Sequence, residues 1–275
     1  MDVKDLQLKA NSIRKSIVTM LNAAGSGHPG GAMGIADVLT FLYFSEMRVN
    51  PKDPHMSDRD RFVLSAAHMV PGLYATLAEA GFFPKEELTT LRKFGSRLEG
   101  HTVRNLDIGV ETTGGSLGQG VSIACGMAAA AKVDGASWRT YCIVGDGESN
   151  EGSVWEAALF GSKFELDNLV FIIDRNNIQL SGTGQEVMPL DPVADKWRAF
   201  NWNVIEIDGN SFDDIAGAFR TAREVKHRPT CIVANTVPGK GVSFMENKAE
   251  WHGKTPDDEQ TKQALAELDS LNANG

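Results

Sequence analysis

Two polar segments in the middle of the chain carry side chains that suit a hard metal ion. Gly145-Asp146-Gly147 follows one apolar run, and Asn176 follows the next apolar run after an intervening helical segment. The carboxyl ends of parallel strands meet at one edge of a sheet, so the Asp146 carboxylate and the Asn176 amide could bind one cation. Such oxygen ligands suit Mg²⁺, which leaves positions for waters or ligand phosphates. The spacing predicts a magnesium site that accepts a diphosphate.

Glycine and a helix start beside this pair favour an anion. Gly147 lets the backbone approach a phosphate oxygen, and the helix predicted from Ser153 adds amides that point toward negative charge. An isolated Gly-Asp-Gly is usually only a tight turn. The longer order of strand, Gly-Asp-Gly, helix, strand and Asn176-Asn177 is a stronger indication of a ligand site.

Four histidines occupy glycine-rich or loop-like segments, where an imidazole could face a ligand. Imidazole titrates near neutral pH, so these side chains could accept and return hydroxyl protons during a reaction. A histidine taken at random is more often a hydrogen-bonded loop residue, and we interpret His55 and His227 in that way. The four candidates are His28, His68, His101 and His252.

The apolar pattern predicts elements that place these segments at one edge of a sheet. Apolar β-rich runs alternate with helical runs, which is typical of a parallel sheet covered on both faces. We therefore expect an α/β fold with a doubly wound parallel sheet and a loose tail after about residue 268. Predicted helices cover 6–22, a run up to 44, a run up to 80, 121–132, 153–164, 191–200 and 212–226, and predicted strands cover 61–65, 140–144, 169–174, 203–207 and 230–235.

Composition limits the classes of protein to consider. The chain has 275 residues, and we expect a single domain over 1–275. No apolar stretch approaches the length of a membrane span, and a formal net charge of −9 without a basic cluster argues against binding nucleic acid. No secretion signal is visible, and the three cysteines lie far apart in apolar segments. We expect a cytoplasmic protein with no membrane or nucleic-acid partner.

Together these segments resemble the thiamine diphosphate signature of the transketolase family, and the resemblance covers almost the whole chain. It implies the PP-type fold that binds thiamine diphosphate, with thiamine diphosphate and Mg²⁺ as cofactors. It also implies transfer of a two-carbon ketol group from a ketose phosphate to an aldose phosphate, with the cofactor supplying the electron sink. Matching motifs, besides the metal segments, are Ser26-Gly27-His28-Pro29-Gly30, Leu64-Ser65-Ala66-Ala67-His68, Glu99-Gly100-His101, the 112–120 segment and Trp251-His252-Gly253.

The resemblance also implies roles for individual residues. The catalytic set, which meets substrate oxygens, is His28, His101 and His252. The cofactor set is His68, Gly115, Leu117, Gly147, Glu151, Asn176 and His252, and the metal set is Asp146, Asn176 and the carbonyl of Ile178. Glu151 and Glu156 match a carboxylate pair that links two active sites in relatives.

In that family a glutamate beside the aminopyrimidine comes from a second, pyrimidine-binding domain, which this sequence does not contain. We therefore expect a partner chain, a C-terminal transketolase subunit with the pyrimidine domain, and a heterotetramer of two plus two subunits. Two positions depart from the family pattern: Ala67 replaces a glycine before His68, and Thr102 replaces a proline after His101. Both substitutions could alter the geometry of the loops that carry these histidines.

Three alternatives remain open. A deoxyxylulose-phosphate synthase or a ketoacid dehydrogenase component shares the Gly-Asp-Gly to Asn arrangement, although the Ser26–Gly30 and Trp251–Gly253 motifs favour transketolase. A noncatalytic regulatory or binding subunit could keep the cofactor fold. A Rossmann dinucleotide-binding protein is disfavoured, because the 115–120 glycine run neither follows a clear strand nor has the spacing of that fingerprint.

Overall fold

A five-stranded parallel sheet lies at the centre of the molecule. The computed structural model describes residues 1–273, with side chains up to residue 271. Its strands are β1 (Arg61–Leu64), β2 (Thr140–Gly145), β3 (Leu169–Arg175), β4 (Ile178–Gln179), β5 (Gly182–Thr183), β6 (Asn203–Asp208) and β7 (Thr230–Asn235). The main sheet has the order β1-β2-β3-β7-β6, and β4 and β5 form a separate antiparallel hairpin.

Helices cover both faces of this sheet. They are α1 (Val3–Ala24), α2 (Pro29–Gly34), α3 (Ala36–Phe41), α4 (Val70–Ala80), α5 (Gly120–Val133), α6 (Gly152–Lys163), α7 (Gly184–Val187), α8 (Val193–Ala199), α9 (Phe212–Glu224) and α10 (Asp258–Ala273). Residues of α5, α6 and α8 belong to one apolar cluster, and residues of α1 to α4, α9 and α10 belong to the other. The predicted doubly wound α/β fold is confirmed.

Strand side chains alternate between these two clusters. In β3, Val170 and Ile172 face the larger cluster, whereas Phe171 and Ile173 face the smaller one, and all four are fully buried. A strand buried on both faces needs apolar residues at every position, because period-two alternation sends successive side chains to opposite layers. This requirement explains why β2 and β3 are continuous apolar runs in the sequence.

Several boundaries differ from the sequence-based expectation. The helical run expected up to residue 44 is divided into α2, α3 and a π-helical turn at Leu42–Glu46. The expected loose tail is wrong as far as the structure describes the chain, because α10 continues to Ala273 with Leu268 fully buried. Asn274 and Gly275, also part of that expectation, lie outside the described residues. The β4–β5 hairpin and α7 were not expected.

Neighbouring helices α5 and α6 expose apolar side chains on the outer side of the smaller cluster. Leu159, Phe160 and Phe164 of the α6 region are 60 %, 39 % and 52 % exposed, and Ile123 of α5 is 38 % exposed. The rings of Phe160 and Phe164 lie 4.4 Å apart. We call these four residues the α5–α6 apolar face. Of these four, Phe160 and Phe164 are in contact, and adjoining exposed apolar side chains of this kind occur on surfaces that contact another protein.

Within residues 1–273, none of the helices is both long and apolar enough to cross a bilayer.

Candidate active site

A cleft of ≈ 510 Å³ opens at the carboxyl edge of the sheet, where β1, β2 and β3 end. Parallel α/β sheets usually bind ligands at this edge. Every residue assigned to the catalytic, cofactor and metal sets lines this cleft: His28, His68, His101, Gly115, Leu117, Asp146, Gly147, Glu151, Asn176, Ile178 and His252. Segments that are far apart in the sequence therefore converge on one site.

Asp146 lies directly after β2, and its carboxylate joins the ends of two neighbouring strands. Its Oδ1 accepts a hydrogen bond from the Gly147 amide at 2.7 Å, and its Oδ2 accepts one from the Asn177 amide at 2.6 Å. The side chain of Arg175 lies 3.4 Å from Oδ2 and also contacts Asp191 at 2.8 Å. The Asp146–Asn177 contact brings the two predicted metal segments together.

Asn176 is held at both ends of its amide. Its Nδ2 donates to the Asp174 carboxylate at 2.7 Å, and its Oδ1 accepts from the Ile178 amide at 2.9 Å. Asp174, at the end of β3, is fully buried and also accepts a hydrogen bond from the Thr236 hydroxyl. These bonds fix the orientation of the Asn176 amide, so its oxygen has a defined direction.

The oxygen atoms at this edge of the cleft are suitable ligands for a hard divalent cation. Desolvation by burial raises the pKa of Asp146. Burial also raises the pKa of Asp174 to about 7, and the nearby charge of Asp146 contributes to this second shift. Burial makes each carboxylate less stable in its charged form, and a cation would offset that cost. The Asp146 carboxylate, the Asn176 amide oxygen and the Ile178 carbonyl offer only oxygen ligands, which is the set that Mg²⁺ prefers.

Four histidines form a cluster that lines the same cleft. The ring of His28 lies 5.2 Å from that of His68, 5.8 Å from that of His252 and 6.5 Å from that of His101. His68 and His252 are 5.3 Å apart. These residues come from four distant parts of the sequence. Their grouping indicates a site in which several imidazoles face one ligand.

Local structure explains how His28 reaches this position. Gly25 ends α1 with a left-handed φ of 63°, and its N–H donates to the Leu21 and Asn22 carbonyls. The chain then turns, and Pro29 begins α2 directly after His28, where a missing N–H costs no helical hydrogen bond. The buried His28 Nδ1 has no hydrogen-bond partner among the residues that the structure describes. His28 itself lines the cleft, so its ring contributes to the wall that a ligand would meet.

Burial keeps these imidazoles neutral at pH 7. Desolvation, together with the other histidines, lowers the pKa of His28 to about 4 and that of His68 to about 3. Burial also lowers the pKa of His101, with a further contribution from Arg92, and that of His252. An anion bound beside them would favour the protonated forms and raise these pKa values. The cluster is thus responsive to a negatively charged ligand.

Glu148, to which the sequence analysis assigned no role, links three segments around the cleft. One carboxylate oxygen accepts from the Ser65 hydroxyl and, at 2.7 Å, from the Gly118 amide; the other accepts from the Gly145 amide at 3.0 Å. Burial raises the pKa of Glu148, and these hydrogen bonds oppose that shift. Its position directly after Gly-Asp-Gly was the only sequence signal for this role.

Close backbone packing also requires glycine at Gly118. This residue has a left-handed φ of 77°, and a Cβ atom there would lie 2.4 Å from the Ser153 hydroxyl. The Ser153 hydroxyl instead donates to the Gly118 carbonyl at 2.9 Å. The 112–120 loop therefore contacts the first turn of α6, whose amides point toward the cleft side that carries Gly147.

Apolar residues complete the wall on the hairpin side. Leu180, which follows β4, lines the cleft and is 73 % exposed, and Met188 lines it with 55 % exposure. Leu117, from the glycine-rich loop, is 38 % exposed in the same cleft. Leu180 and Met188 were not predicted from the sequence, because neither lies in a polar motif. These side chains suit the carbon part of a ligand.

The two departures from the family pattern leave the histidines in the cleft. Ala67 begins a 3₁₀ turn, Ala67–Met69, that carries His68 between β1 and α4. The carbonyl of the buried Thr102 accepts a hydrogen bond from the Gly114 amide at 2.9 Å, which joins the His101 segment to the glycine-rich loop. Glu151 lines the cleft as the residue before α6, whereas Glu156 is exposed on α6 and does not line it.

Known proteins resemble this chain over nearly its whole length. A family described as "Transketolase, thiamine diphosphate binding domain" matches residues 6–270. The chain belongs to this family. A relative from Phocaeicola vulgatus, named as one of the subunits of an apulose-4-phosphate transketolase, is 45 % identical over 98 % of this chain and 95 % of the relative. A 6-deoxy-6-sulfo-D-fructose transketolase subunit from a Clostridium species is 45 % identical over 98 % of each chain.

Longer transketolases share the same region. Human transketolase is 43 % identical over 94 % of this chain, which spans 41 % of the human protein. The crystal structure of Campylobacter jejuni transketolase superposes with a TM-score of 0.90 at 32 % identity, covering 98 % of this chain and 43 % of that one. The fold is therefore that of the thiamine diphosphate-binding part of transketolases.

Proposed function

We propose that this chain is one subunit of a transketolase that depends on thiamine diphosphate and Mg²⁺ and transfers a two-carbon ketol group from a ketose phosphate to an aldose phosphate. The observation that carries the proposal is the cleft itself. Its lining combines the Asp146 carboxylate and the Asn176 amide with four imidazoles, of which His28 and His68 have pKa values lowered by burial. Membership of the family supports the same activity.

Asp146, Asn176 and the Ile178 carbonyl would hold the metal ion, and Gly147 and His68 would contact the diphosphate. Gly115 and Leu117 would lie against the aminopyrimidine, and Glu151 would lie near it at the start of α6. When bound, thiamine diphosphate supplies the electron sink for breaking the C–C bond. The protein positions the reacting groups and excludes water.

His28, His101 and His252 would handle the protons of substrate hydroxyl and carbonyl groups. A neutral imidazole can accept a hydroxyl proton through its unprotonated nitrogen and return it to an oxygen later. All three imidazoles line the cleft, where a substrate hydroxyl could meet them. Anionic cofactor and substrate would raise the low pKa values toward neutrality, where proton transfer in both directions is efficient.

The active enzyme would include a partner chain. Relatives of the same length as this chain are named as subunits, whereas single-chain transketolases are more than twice as long. The α6 members of the α5–α6 apolar face, Leu159, Phe160 and Phe164, follow the cleft residue Glu151 by about two to four helical turns. We propose a C-terminal transketolase subunit with the pyrimidine domain as partner, in a heterotetramer of two plus two in the cytoplasm.

The substrates would be small sugars with an anionic end. The two similar subunits are named for apulose-4-phosphate and for 6-deoxy-6-sulfo-D-fructose, which carry a phosphate and a sulfonate. A ketose phosphate donor and an aldose phosphate acceptor follow from that shared chemistry.

The deciding experiment is a ketol-transfer assay with thiamine diphosphate and Mg²⁺, using this chain alone, the partner alone and the mixture. We expect transfer only in the mixture and its loss in Asp146→Ala, with cofactor binding followed in parallel by calorimetry. Glu224→Gln, at an exposed position of α9 outside the cleft, is the comparison variant for cofactor binding. Cofactor binding without transfer of any tested sugar phosphate would favour the regulatory alternative, and condensation of pyruvate with an aldose phosphate would favour a deoxyxylulose-phosphate synthase.

A further inference from the structure

A second cavity, of ≈ 400 Å³, lies between α1, the start of α9, α10 and the loop that carries Lys240. In residues 1–273 it shares no lining residue with the cleft. Its volume is within the range of sites that bind small organic molecules. The lining combines cationic, amide and apolar side chains.

The floor is a buried polar network that is satisfied internally. The Arg14 guanidinium donates to both oxygens of Asp37, at 3.1 and 2.6 Å, and the Asn210 amide donates to the same carboxylate at 2.7 Å. Side chains of Arg14 and Asp37 are only 8 % and 6 % exposed. A paired guanidinium and carboxylate give the floor a fixed shape and almost no net charge.

Two lysines give the rim of this cavity a positive charge. Lys4 and Lys240 line the cavity, and in the described part of the chain neither ammonium group has a hydrogen-bond or ion-pair partner. The cavity therefore carries a net positive charge, although the whole chain has a formal charge of −9. Two cations that face one cavity repel each other, and an anion between them would remove that repulsion.

Apolar side chains form the remaining walls. Leu8 lines the cavity and is 42 % exposed, and Phe212 lines it from the start of α9. Leu271 of α10 also lines it and is 53 % exposed, whereas Phe212 is already buried at 5 %. A free inorganic ion would leave the two leucines in contact with water, whereas a ligand with a short carbon body beside its charged group would cover them.

We propose that this cavity is a binding site for a small organic anion, with its phosphate or carboxylate group between Lys4 and Lys240 and its carbon body against Leu8 and Leu271. This inference does not depend on the proposed activity, because the cavity is separate from the cleft. Phosphate and carboxylate share the chemistry that the two ammonium groups recognise, and the experiment below distinguishes them.

Ligand binding here would also stabilise the segment that positions His28. The floor donates hydrogen bonds to α2, from Arg14 Nε to the Met33 carbonyl at 3.1 Å and from Asn210 to the Gly34 carbonyl at 2.9 Å. His28 is the residue directly before α2. A ligand that binds only the folded state raises the melting temperature, which gives a second readout besides affinity.

The test uses the full chain and three probes: glycerol 3-phosphate, succinate and uncharged glycerol. Binding is measured by ligand-observed NMR and by thermal melting, for the native chain, Lys4→Met with Lys240→Met, and His68→Ala. Lys52→Met is the matched control, since Lys52 is an exposed lysine outside both sites. His68→Ala removes an imidazole of the cleft, where a phosphate probe could also bind.

We expect one anionic probe to bind, with its affinity about tenfold weaker or more in the double lysine variant and unchanged in His68→Ala and Lys52→Met. Preference for glycerol 3-phosphate assigns the site to phosphate esters, and preference for succinate assigns it to carboxylates. The proposal is overturned if neither anion binds, if binding survives the double lysine variant, or if His68→Ala abolishes it. Loss of ketol transfer in other experiments would not affect this result.

Discussion

Histidines inside and outside the cleft differ in what surrounds them. His55 contacts Asp107 at 2.7 Å and His227 contacts Glu165 at 3.1 Å, and both pairs are exposed on the surface. Neither residue lines the cleft. The four cleft histidines instead face one another, and desolvation dominates their pKa shifts. Motif context in the sequence divides the histidines into the same two groups, because only the cleft histidines adjoin glycine-rich or strand-end segments.

His68 should make the stability of the unliganded chain depend on pH. Its pKa is lowered from 6.5 to about 3, so between these values the unfolded chain binds a proton that the folded chain does not. The free energy of unfolding is therefore highest above pH 6.5, as far as His68 determines it, and it decreases as the pH falls toward 3. When the pH is lowered from 7 to 5, the free energy of unfolding should fall in both proteins. We expect the fall to be about 1–2 kcal/mol smaller in His68→Gln than in the native chain. Urea unfolding at the two pH values measures this difference.

His55→Gln is the control for that measurement, because His55 is exposed and lies outside the cleft. Its pH dependence should match that of the native chain. Equal pH dependence in native chain and His68→Gln would contradict the assignment of a buried neutral imidazole to His68.

At the level of elements, the carboxyl edge of the sheet depends on Glu148. This buried side chain joins Ser65 after β1, Gly118 before α5 and Gly145 at the end of β2. Glu148→Gln replaces one acceptor oxygen with an amide group that faces existing donors. We expect it to lower the free energy of unfolding by about 2 kcal/mol. Denaturant unfolding checks the energy, and hydrogen exchange at the Gly118 and Gly145 amides locates the change.

Glu156→Gln makes the same chemical change at an exposed position of α6 and should alter stability by less than about 0.5 kcal/mol. A similar small effect for Glu148→Gln, with normal protection of both amides, would show that the three segments hold together without this carboxylate.

The sequence predicted the central elements well and the peripheral ones poorly, for a physical reason. Buried strands such as β2 and β3 must be apolar at every position, so their signal is strong. Helix α10 is polar on most of its surface and buries few side chains, among them Ala264 and Leu268, which produced too weak a period to recognise. The β4–β5 hairpin has two residues in each strand and carries no period at all.

The residues of the candidate site were likewise predicted where their sequence signal was strong and missed where it was weak. Residues in glycine-rich or strand-end motifs, such as Asp146 and Asn176, were predicted, and the structure places them together. Leu180 was missed, because an isolated leucine after a two-residue strand has no distinguishing neighbours. Asp174 was seen only as a strand end, since its burial and its bond to Thr236 depend on tertiary structure.

Over the whole molecule, the distribution of apolar surface indicates where a partner binds. The α5–α6 apolar face includes α6, whose start adjoins the cleft, and it contains the paired Phe160 and Phe164 rings. This chain spans 41 % of human transketolase, and relatives of its length are named as subunits. We infer that the partner subunit covers this face. Aromatic side chains, Phe among them, are enriched at protein–protein interfaces.

Phe160→Glu should therefore weaken assembly with the partner subunit. Phe160 is 39 % exposed, so the isolated variant should fold normally, whereas a carboxylate in the contact would be buried without a partner. We expect the dissociation constant, measured by sedimentation of the mixed subunits, to rise about tenfold or more. Val3→Glu changes an apolar residue, 41 % exposed, at the start of α1 on the opposite side of the sheet and should leave assembly unchanged. Equal effects of both substitutions would contradict this assignment, and loss only of self-association would assign the face to a second copy of this chain.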